Sequence, residues 1–454
     1  MLIKKILLST IISLLFFMKI VAQNKNDSSN LKISISKNIL VGTESKESQL
    51  IEPHVAAHPT NPNHLIAAAA VKSTTKRNDY DIEHCVVFVS KDGGKTWKRT
   101  DMTGQAGIDA WVGFSENKAI VSTLGPHPLY SEYKFNSVLQ MLVYTSFDGG
   151  DNWTKTPQSL GGSYDGPRST PAKDGSIFIT AHTGVRGKAP NAQIFVAKVL
   201  NNNYIEKMSY VNPSNLNIGI DGIVSYNDGT LAISFQDYQY PVSGPMRDEN
   251  GWRGVIKTRR EWLITSSDEG QTFSPPKLIT ESFYDRANDL SVDKTEGKFK
   301  DRLYCVGSST NYESVLFTYS DDKGDTWTDA TPIEKIKNIG IRKEPHVAIN
   351  KDGVIAVSWF DSRDNPESKL CYSPYIAFSV DGGKTFNKSV KVADKKSCVN
   401  PKISGENVAN RWPVGGDYFG LTATADGRFH IVWPDARSGK FEVMAASASV
   451  INNN

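Results

Sequence analysis

Fifteen polar or aromatic residues recur at one kind of place in this chain, the opening of a short extended run that follows a loop. They are Glu52, His54, Asp109, Trp111, Asp165, Arg168, Asp221, Arg286, Asp289, Arg342, Glu344, His346, Arg411, Asp417 and Tyr418. Carboxyl groups held at different pKa values can exchange protons with a substrate. Guanidinium groups grip a carboxylate or sulfate through paired hydrogen bonds, and aromatic rings lie against sugar faces. Gathered at one point, these groups would suit an acidic sugar. A structural reading stands beside this one, because Glu-Pro-His occurs twice, at 52–54 and 344–346. Such duplication fits a role repeated from unit to unit. Asp361-Ser-Arg363 and Asp435-Ala-Arg437 are likewise expected to be local Asp–Arg pairs in loops, with Trp359 and Trp433 in the core.

The elements that must position these residues are announced by a second pattern, Ser-x-Asp-x-Gly-x-Thr/Asn-aromatic. It spans 90–97, 146–153, 266–273, 320–327 and 379–386. Each copy ends an apolar, β-branched run such as Cys85-Val-Val-Phe-Val89 or Met141-Leu-Val-Tyr-Thr145, which reads as a strand entering a hairpin. The Ser and Asp side chains can hold nearby backbone N–H groups, and the Gly supplies a positive φ. The closing Trp or Phe is a large apolar plug for a neighbouring sheet. A calcium loop would need alternating acidic ligands and a distal Glu, which none of the copies has.

The box Asp residues stand at 92, 148, 268, 322 and 381, so one gap is twice the others and hides a degenerate copy, at Ala197–Asn203. A period of this length signals a repeat architecture. Stacking the runs on their Asp-Gly turns gives seven units, each an inner strand, a second strand and a box hairpin. The last unit ends on a lone strand, Glu442–Val450, whose open edge would invite foreign pairing. Leu31–Val41 alternates, has no partner of its own and precedes the first unit. It is expected to supply the outermost strand of the last unit. The fold expected is all-β, a β-propeller of seven blades closed by the N-terminal strand, with six blades as the alternative.

The five copies resemble the Asp-box, or BNR repeat, of sialidases and other β-propeller families, and the resemblance covers roughly residues 45–450. It implies boxes on outer hairpins, away from the face where such enzymes work. Sialidases hold the substrate carboxylate with three Arg and use a Tyr assisted by a Glu, with an Asp as acid/base; the Tyr nucleophile is an exception among glycosidases. Carried over to this sequence, the resemblance implies Arg168, Arg286 and Arg342 for the anion, Asp109 as acid/base and Tyr418 with Glu344 as the nucleophile pair. Arg411, Glu52, His54, Trp111, His346 and Asp417 would bind substrate. The Arg-Ile-Pro that opens sialidase domains is absent; Ile51-Glu52-Pro53-His54 stands there instead. The function expected is an exported, sialidase-like exo-glycosidase acting on an anionic sugar at the channel mouth. The alternatives are a non-catalytic propeller that binds a glycan or protein, and a polysaccharide lyase using His or Tyr.

Residues 1–23 place Lys4 and Lys5 ahead of an apolar run from Ile6 to Met18, the pattern of a secretory signal peptide. The single propeller domain is then 24–454, secreted or periplasmic, with no membrane anchor after cleavage. Losing Lys4, Lys5 and Lys19 takes the formal charge from +3 to 0, which argues against nucleic acid as a partner. Carbohydrate is the partner expected, and no metal or cofactor. Export permits disulfides, and Cys371 with Cys398 bracket the fifth box hairpin. Cys85 and Cys305 lie in strand-like runs and read as buried thiols.

Overall fold

The computed structural model describes residues 28–74, 82–100, 102, 107–126, 139–162, 164–183, 192–238, 259–284, 288–335 and 340–451. The leader read at 1–23 lies outside them. Seven antiparallel sheets follow one another along the chain. From inner to outer strand, blade 1 runs Ser48–Ala57, Leu65–Ser73, Ile82–Ser90 and Lys98–Thr100; blade 2 runs Ile108–Phe114, Ala119–Pro126, Leu139–Ser146 and Gln158–Ser159. Blade 3 has Tyr164–Pro171, Ile177–Thr183, Ile194–Val199 and Ile205–Val211. Blade 4 has Asn217–Ser225, Leu231–Tyr238, Arg259–Ser266 and Lys277–Thr280. Blade 5 is built of Asp289–Val292, Leu303–Ser308, Val315–Ser320 and Thr331–Pro332, and blade 6 of Arg342–Ile349, Ile355–Asp361, Ser373–Ser379 and Val390–Lys391. Blade 7 holds Gly420–Ala423, Phe429–Asp435 and Glu442–Ile451. Each first strand packs against the first strands of its two neighbours, and blade 7 returns to blade 1. The expected seven-bladed propeller is the observed one.

Closure happens as the sequence requires. Lys32–Ile35 and Ile39–Gly42 both pair antiparallel with Glu442–Ile451, Ile33 opposite Val450 and Leu40 opposite Met444. The first and last strands of the chain thus share a blade, and the free edge of Glu442–Ile451 is covered.

All five boxes fold alike. In the fourth, Ser320 Oγ donates to Asp322 Oδ1 and accepts from Gly324 N at 2.8 Å, while Asp322 accepts from Thr326 N and Thr326 Oγ1. Each box aromatic packs into the apolar seam shared with the preceding blade. Trp153 is buried with Val87 and Val89 of blade 1. Trp327 packs on the seam of Val224 and Ala232, and Phe386 on that of Tyr304 and Val306. The cores therefore lie between blades, not within them. At the degenerate copy, Lys118 Nζ from blade 2 donates to the carbonyls of Val199 and Leu200 at 2.7 and 2.5 Å, and Thr145 Oγ1 reaches Asn203. These side chains hold a turn that has no box Asp. Cys371 and Cys398 are joined in a disulfide, and Cys85 and Cys305 are buried free thiols.

Candidate functional site

The first strands carry a repeated irregularity. Pairing with the second strand slips between Ile51 and His54, Ile108 and Trp111, Asp165 and Arg168, Ile220 and Gly222, and Lys343 and His346. These are β-bulges, which twist a strand and re-aim the side chains after them. The bulge residue lies at φ 53° in Glu52, 51° in Asp109, 52° in Glu344 and 62° in Gly166. Glycine tolerates that conformation; an acid there is strained by an amount on the order of 1–3 kcal/mol. Three blades nevertheless place a carboxyl group at it.

Around the bulges, polar side chains among the described residues tie blades to their neighbours at six of the seven junctions. Val112 N of blade 2 donates to His54 Nδ1 at 3.1 Å, and Arg168 Nε donates to Asp221 O of blade 4 at 3.3 Å. Asp221 Oδ1 accepts from Asn288 N, which leads into blade 5, and Asp289 Oδ2 accepts from Val347 N of blade 6 at 3.0 Å. His346 Nε2 accepts from Phe419 N of blade 7, and Glu52 Oε1 from Asp417 N at 3.1 Å. The duplicated Glu-Pro-His therefore has the unit-level role its repetition suggested: both imidazoles receive the backbone N–H of the following blade. An imidazole whose lone pair is already taken cannot serve as the base of a lyase through that nitrogen.

Above this ring, carboxyl groups from blades 7, 1, 2 and 3 meet at the rim. Glu52, Asp109 and Asp165 hydrogen-bond in sequence through their side chains. Burial and the charge of Asp417 push Glu52 up to about 7, against the pull of Arg411. Burial and the neighbouring Glu52 and Asp165 hold Asp109 well above the usual carboxylate range. Glu52 and Asp109 are thus both held above the ordinary carboxylate range, as burial beside other carboxyl groups requires. Glu52 is 3% exposed, Asp109 and Asp165 are half-buried, and Asp417 is exposed, so the cluster opens to solvent on one side. Gly416 makes the nest possible, since a Cβ there would stand 2.1 Å from Glu52 Cγ.

Tyr418 lies under this cluster, 4% exposed, its hydroxyl donating to Ala110 O at 3.3 Å and its ring edge-on to Trp111. Burial, with Glu52 and Asp109 beside it, drives the phenol well above its ordinary value. Its carboxyl neighbours are thus Glu52 and Asp109. Glu344, the partner expected from sequence, acts on Tyr372 instead, so blade geometry separates the pair. Arg168 stacks on Trp111 at 4.1 Å, with His54 stacked on the same indole at 3.7 Å. Arg342 is 1% exposed, paired with Asp361 at 3.3 Å and donating to the Glu313 carbonyl, which commits it to the junction of blades 5 and 6. Arg411 sits on a short helix, Glu406–Arg411, against Trp412 at 4.1 Å and close enough to act on Glu52. Arg286 lies outside the described residues. Arg168 and Arg342 therefore do not converge, because the bulge turns one into the channel while an Asp at the end of the second strand holds the other. The loop pairs behave as expected: Arg437 makes two 2.9 Å bonds to Asp435, which also accepts from Trp433 Nε1, and Asp361 does the same for Arg363 and Trp359.

Sequence reading missed one group. Glu261, on the third strand of blade 4, hydrogen-bonds Asp221 and Asn288 Nδ2, and Gln236 Nε2 donates to both Asp221 oxygens at 3.1 Å. Burial raises Asp221 to about 7 and holds Glu261 well above its ordinary value. The signal was present as two polar residues interrupting apolar runs, Gln236 and Glu261, which the register places opposite each other. Among the described residues no group of three or more His, Cys, Asp or Glu is arranged to hold a metal ion. His54 and His58, four residues apart, are engaged separately, His58 Nδ1 accepting from Thr60 N and Asn61 N.

The BNR/Asp-box repeat profile matches residues 88–99, the first box. No curated protein sequence matches the chain. A protein of unknown function from Dyadobacter fermentans DSM 18053 superposes with a TM-score of 0.51 at 12% identity, over 92% of this chain and 99% of that one. The Hadza microbial sialidase Hz136 gives 0.47 at 10% identity, over 94% and 98%. Trypanosoma rangeli sialidase gives 0.46 at 10% identity over 92% of this chain and 60% of its own, so this chain spans less than two thirds of that enzyme. The first likeness is one of fold, and the two enzymes, below a TM-score of 0.5, add nothing to it. With its repeated boxes and closed ring of blades, the chain is a seven-bladed β-propeller that carries Asp-box hairpins.

Proposed function

We propose that this chain is an exported glycoside hydrolase that works at the rim of the propeller, with the Asp109 carboxyl as its proton donor. The observation that supports this reading is the hydrogen-bonded trio Glu52–Asp109–Asp165, open to solvent beside Asp417. A general acid must hold its proton at the working pH and release it to a leaving oxygen. Asp109, between two other carboxyl groups, meets that condition. Glu52 and Asp109 touch, so they do not flank a scissile bond as a carboxyl pair about 5–9 Å apart would. They share the acid role, and exposed Asp417 faces the incoming water. Tyr418 forms the floor of the site; its sealed phenol is ill suited to attack, unlike the nucleophile of the sialidase scheme. A sugar carrying many hydroxyl groups suits so acidic a rim better than a highly charged anion does. The test is release of reducing sugar from neutral, uronic and sialylated glycans by the purified protein. Asp109→Asn is expected to lower kcat by about 100-fold or more with folding intact.

The second reading is a non-catalytic glycan-binding propeller. It is favoured by the commitment of Arg342 to Asp361 and the Glu313 carbonyl and by the buried Tyr418 hydroxyl. No hydrolysis of any glycan in the panel, with saturable binding to one of them, would establish it in place of the first.

A further inference from the structure

Below the ring of inter-blade ties lies a separate recess of about 230 Å³. Its floor is the ring itself, with His54, Trp111, Arg168, Asp289 and His346 facing it. Its walls mix aliphatic side chains, from Val55 and Val112 to Ile223, Val347 and Leu421, with the polar Ser169 and Asp221. Tyr418, whose ring lies over the Arg168 guanidinium, separates the recess from the carboxyl cluster. Ala57, Pro171 and Thr422, half-buried at the far ends of their strands, mark its opening. Those ends carry the turns against which the boxes pack, since Gly93 N donates to Asn63 O and His64 Nε2 bonds Gly149 O. The recess therefore opens on the box face, opposite the rim.

Its polar groups are unevenly spent. Arg168 is 8% exposed and uses Nε on Asp221 O and Nη1 on Pro167 O, and among the described residues it has no ion pair. The charge of Asp221 acts on Arg168 from beyond ion-pair distance, and a buried guanidinium with no carboxylate in contact is costly unless something else supplies the anion. His54 accepts at Nδ1 from Val112 N, which fixes the tautomer with the proton on Nε2, and no described residue accepts that proton. Burial and the nearby Arg168 keep this imidazole neutral. Two donors thus stand on blades 1 and 3, either side of Trp111. Across the ring, Asp289 on blade 5 accepts from Leu290 N and Val347 N and lies 3.4 Å from His346 Nδ1, and its side chain is still 20% exposed. One wall donates and the opposite wall accepts.

We propose that the box-face channel binds a small hydroxycarboxylate, its carboxylate on Arg168 and His54, its hydroxyl end on Asp289 and its carbon body against the aliphatic walls. A bidentate guanidinium contact fits the carboxylate, and the size of the recess limits the ligand to a single small molecule. This site is independent of the rim and of any hydrolysis there.

Isothermal titration of the whole protein with D-gluconate, D-glucose and acetate tests it. Gluconate should bind with one-to-one stoichiometry, glucose should not bind, and acetate should bind at least tenfold more weakly. Arg168→Met should weaken gluconate binding at least tenfold. Because that variant could fail to fold, Thr422→Trp, which blocks the opening without touching the ring, should abolish binding as well. Asp109→Asn should leave gluconate binding unchanged, so loss of hydrolysis and loss of this site can be told apart. The proposal is overturned if gluconate does not bind at millimolar concentration, if acetate or glucose binds as tightly, or if Thr422→Trp binds normally.

Discussion

His54 and His346 show how one residue type can be read in two ways until its neighbours are known. Each lies beside strained acids and an aromatic ring, yet each spends its lone pair on the backbone of the next blade. Replacing His54 by Leu leaves the Val112 N–H without its partner, which costs about 1–3 kcal/mol. The same substitution at His346 should cost a similar amount, and the double variant reports how far the two ties couple across the recess that both rings face. Equilibrium urea unfolding measures all three, and full stability in either single variant would show that its tie contributes nothing. Among the site residues, the shared role of the two Glu-Pro-His triplets was legible in the sequence, since a repeated triplet points to a repeated job. The Glu52–Asp109–Asp165 contact was not, because its members come from three blades and meet only through bulges that no local pattern announces.

At the scale of elements, the box hairpin is a self-contained turn whose Asp accepts three hydrogen bonds or more within eight residues. Asp322→Ala removes these acceptors from Thr326 and Ser320 and should destabilise the protein by about 1–2 kcal/mol, as loss of a cap does. A box variant should not alter any activity at the rim, since the boxes face the other way; activity and unfolding measured on the same sample separate the two effects. The closing strand has a larger effect. Deleting residues 28–43 would bare the edge of Glu442–Ile451, and an exposed strand of that length pairs with other chains. Light scattering after size exclusion should find oligomer or aggregate; a stable monomer of unchanged melting temperature would mean closure does not depend on this strand.

For the molecule as a whole, the balance of shifted carboxyl groups sets the pH at which it is most stable. Glu52 and Asp221 have folded pKa values of about 7, above their ordinary 4.5 and 3.8. Such groups stabilise the fold fully below the ordinary values, and that contribution is lost as pH rises through about 7. The box acid Asp322 and the turn acid Asp228 are shifted the other way, to about 2, by burial outweighed by hydrogen bonds in the first and chiefly by Lys323 in the second. Their contribution is present above 3.8 and lost as pH falls through 2. Scanning calorimetry should therefore find a melting temperature highest near pH ~4–5 and falling toward pH ~8. Glu52→Gln and Asp221→Asn should each flatten the alkaline side, and a melting temperature that rises across that range would contradict these assignments.

By itself the sequence determined the blades. A period in the boxes, an unpaired last strand and an alternating first segment suffice for seven sheets and their closure, because turn chemistry and strand alternation act over a few residues and repeat. It also named most of the inward-facing residues, Arg168, His54 and Asp109 among them, since their place in each repeat is local information. Tertiary structure alone decided what they touch. Whether Tyr418 meets Glu344 or Glu52, whether Arg342 reaches the channel or Asp361, and that Glu261 joins Asp221 all depend on the angle between blades and on bulges that turn side chains by a fraction of a strand. Those are contacts between residues tens or hundreds of positions apart, and only packing the seven sheets around one axis brings them within reach.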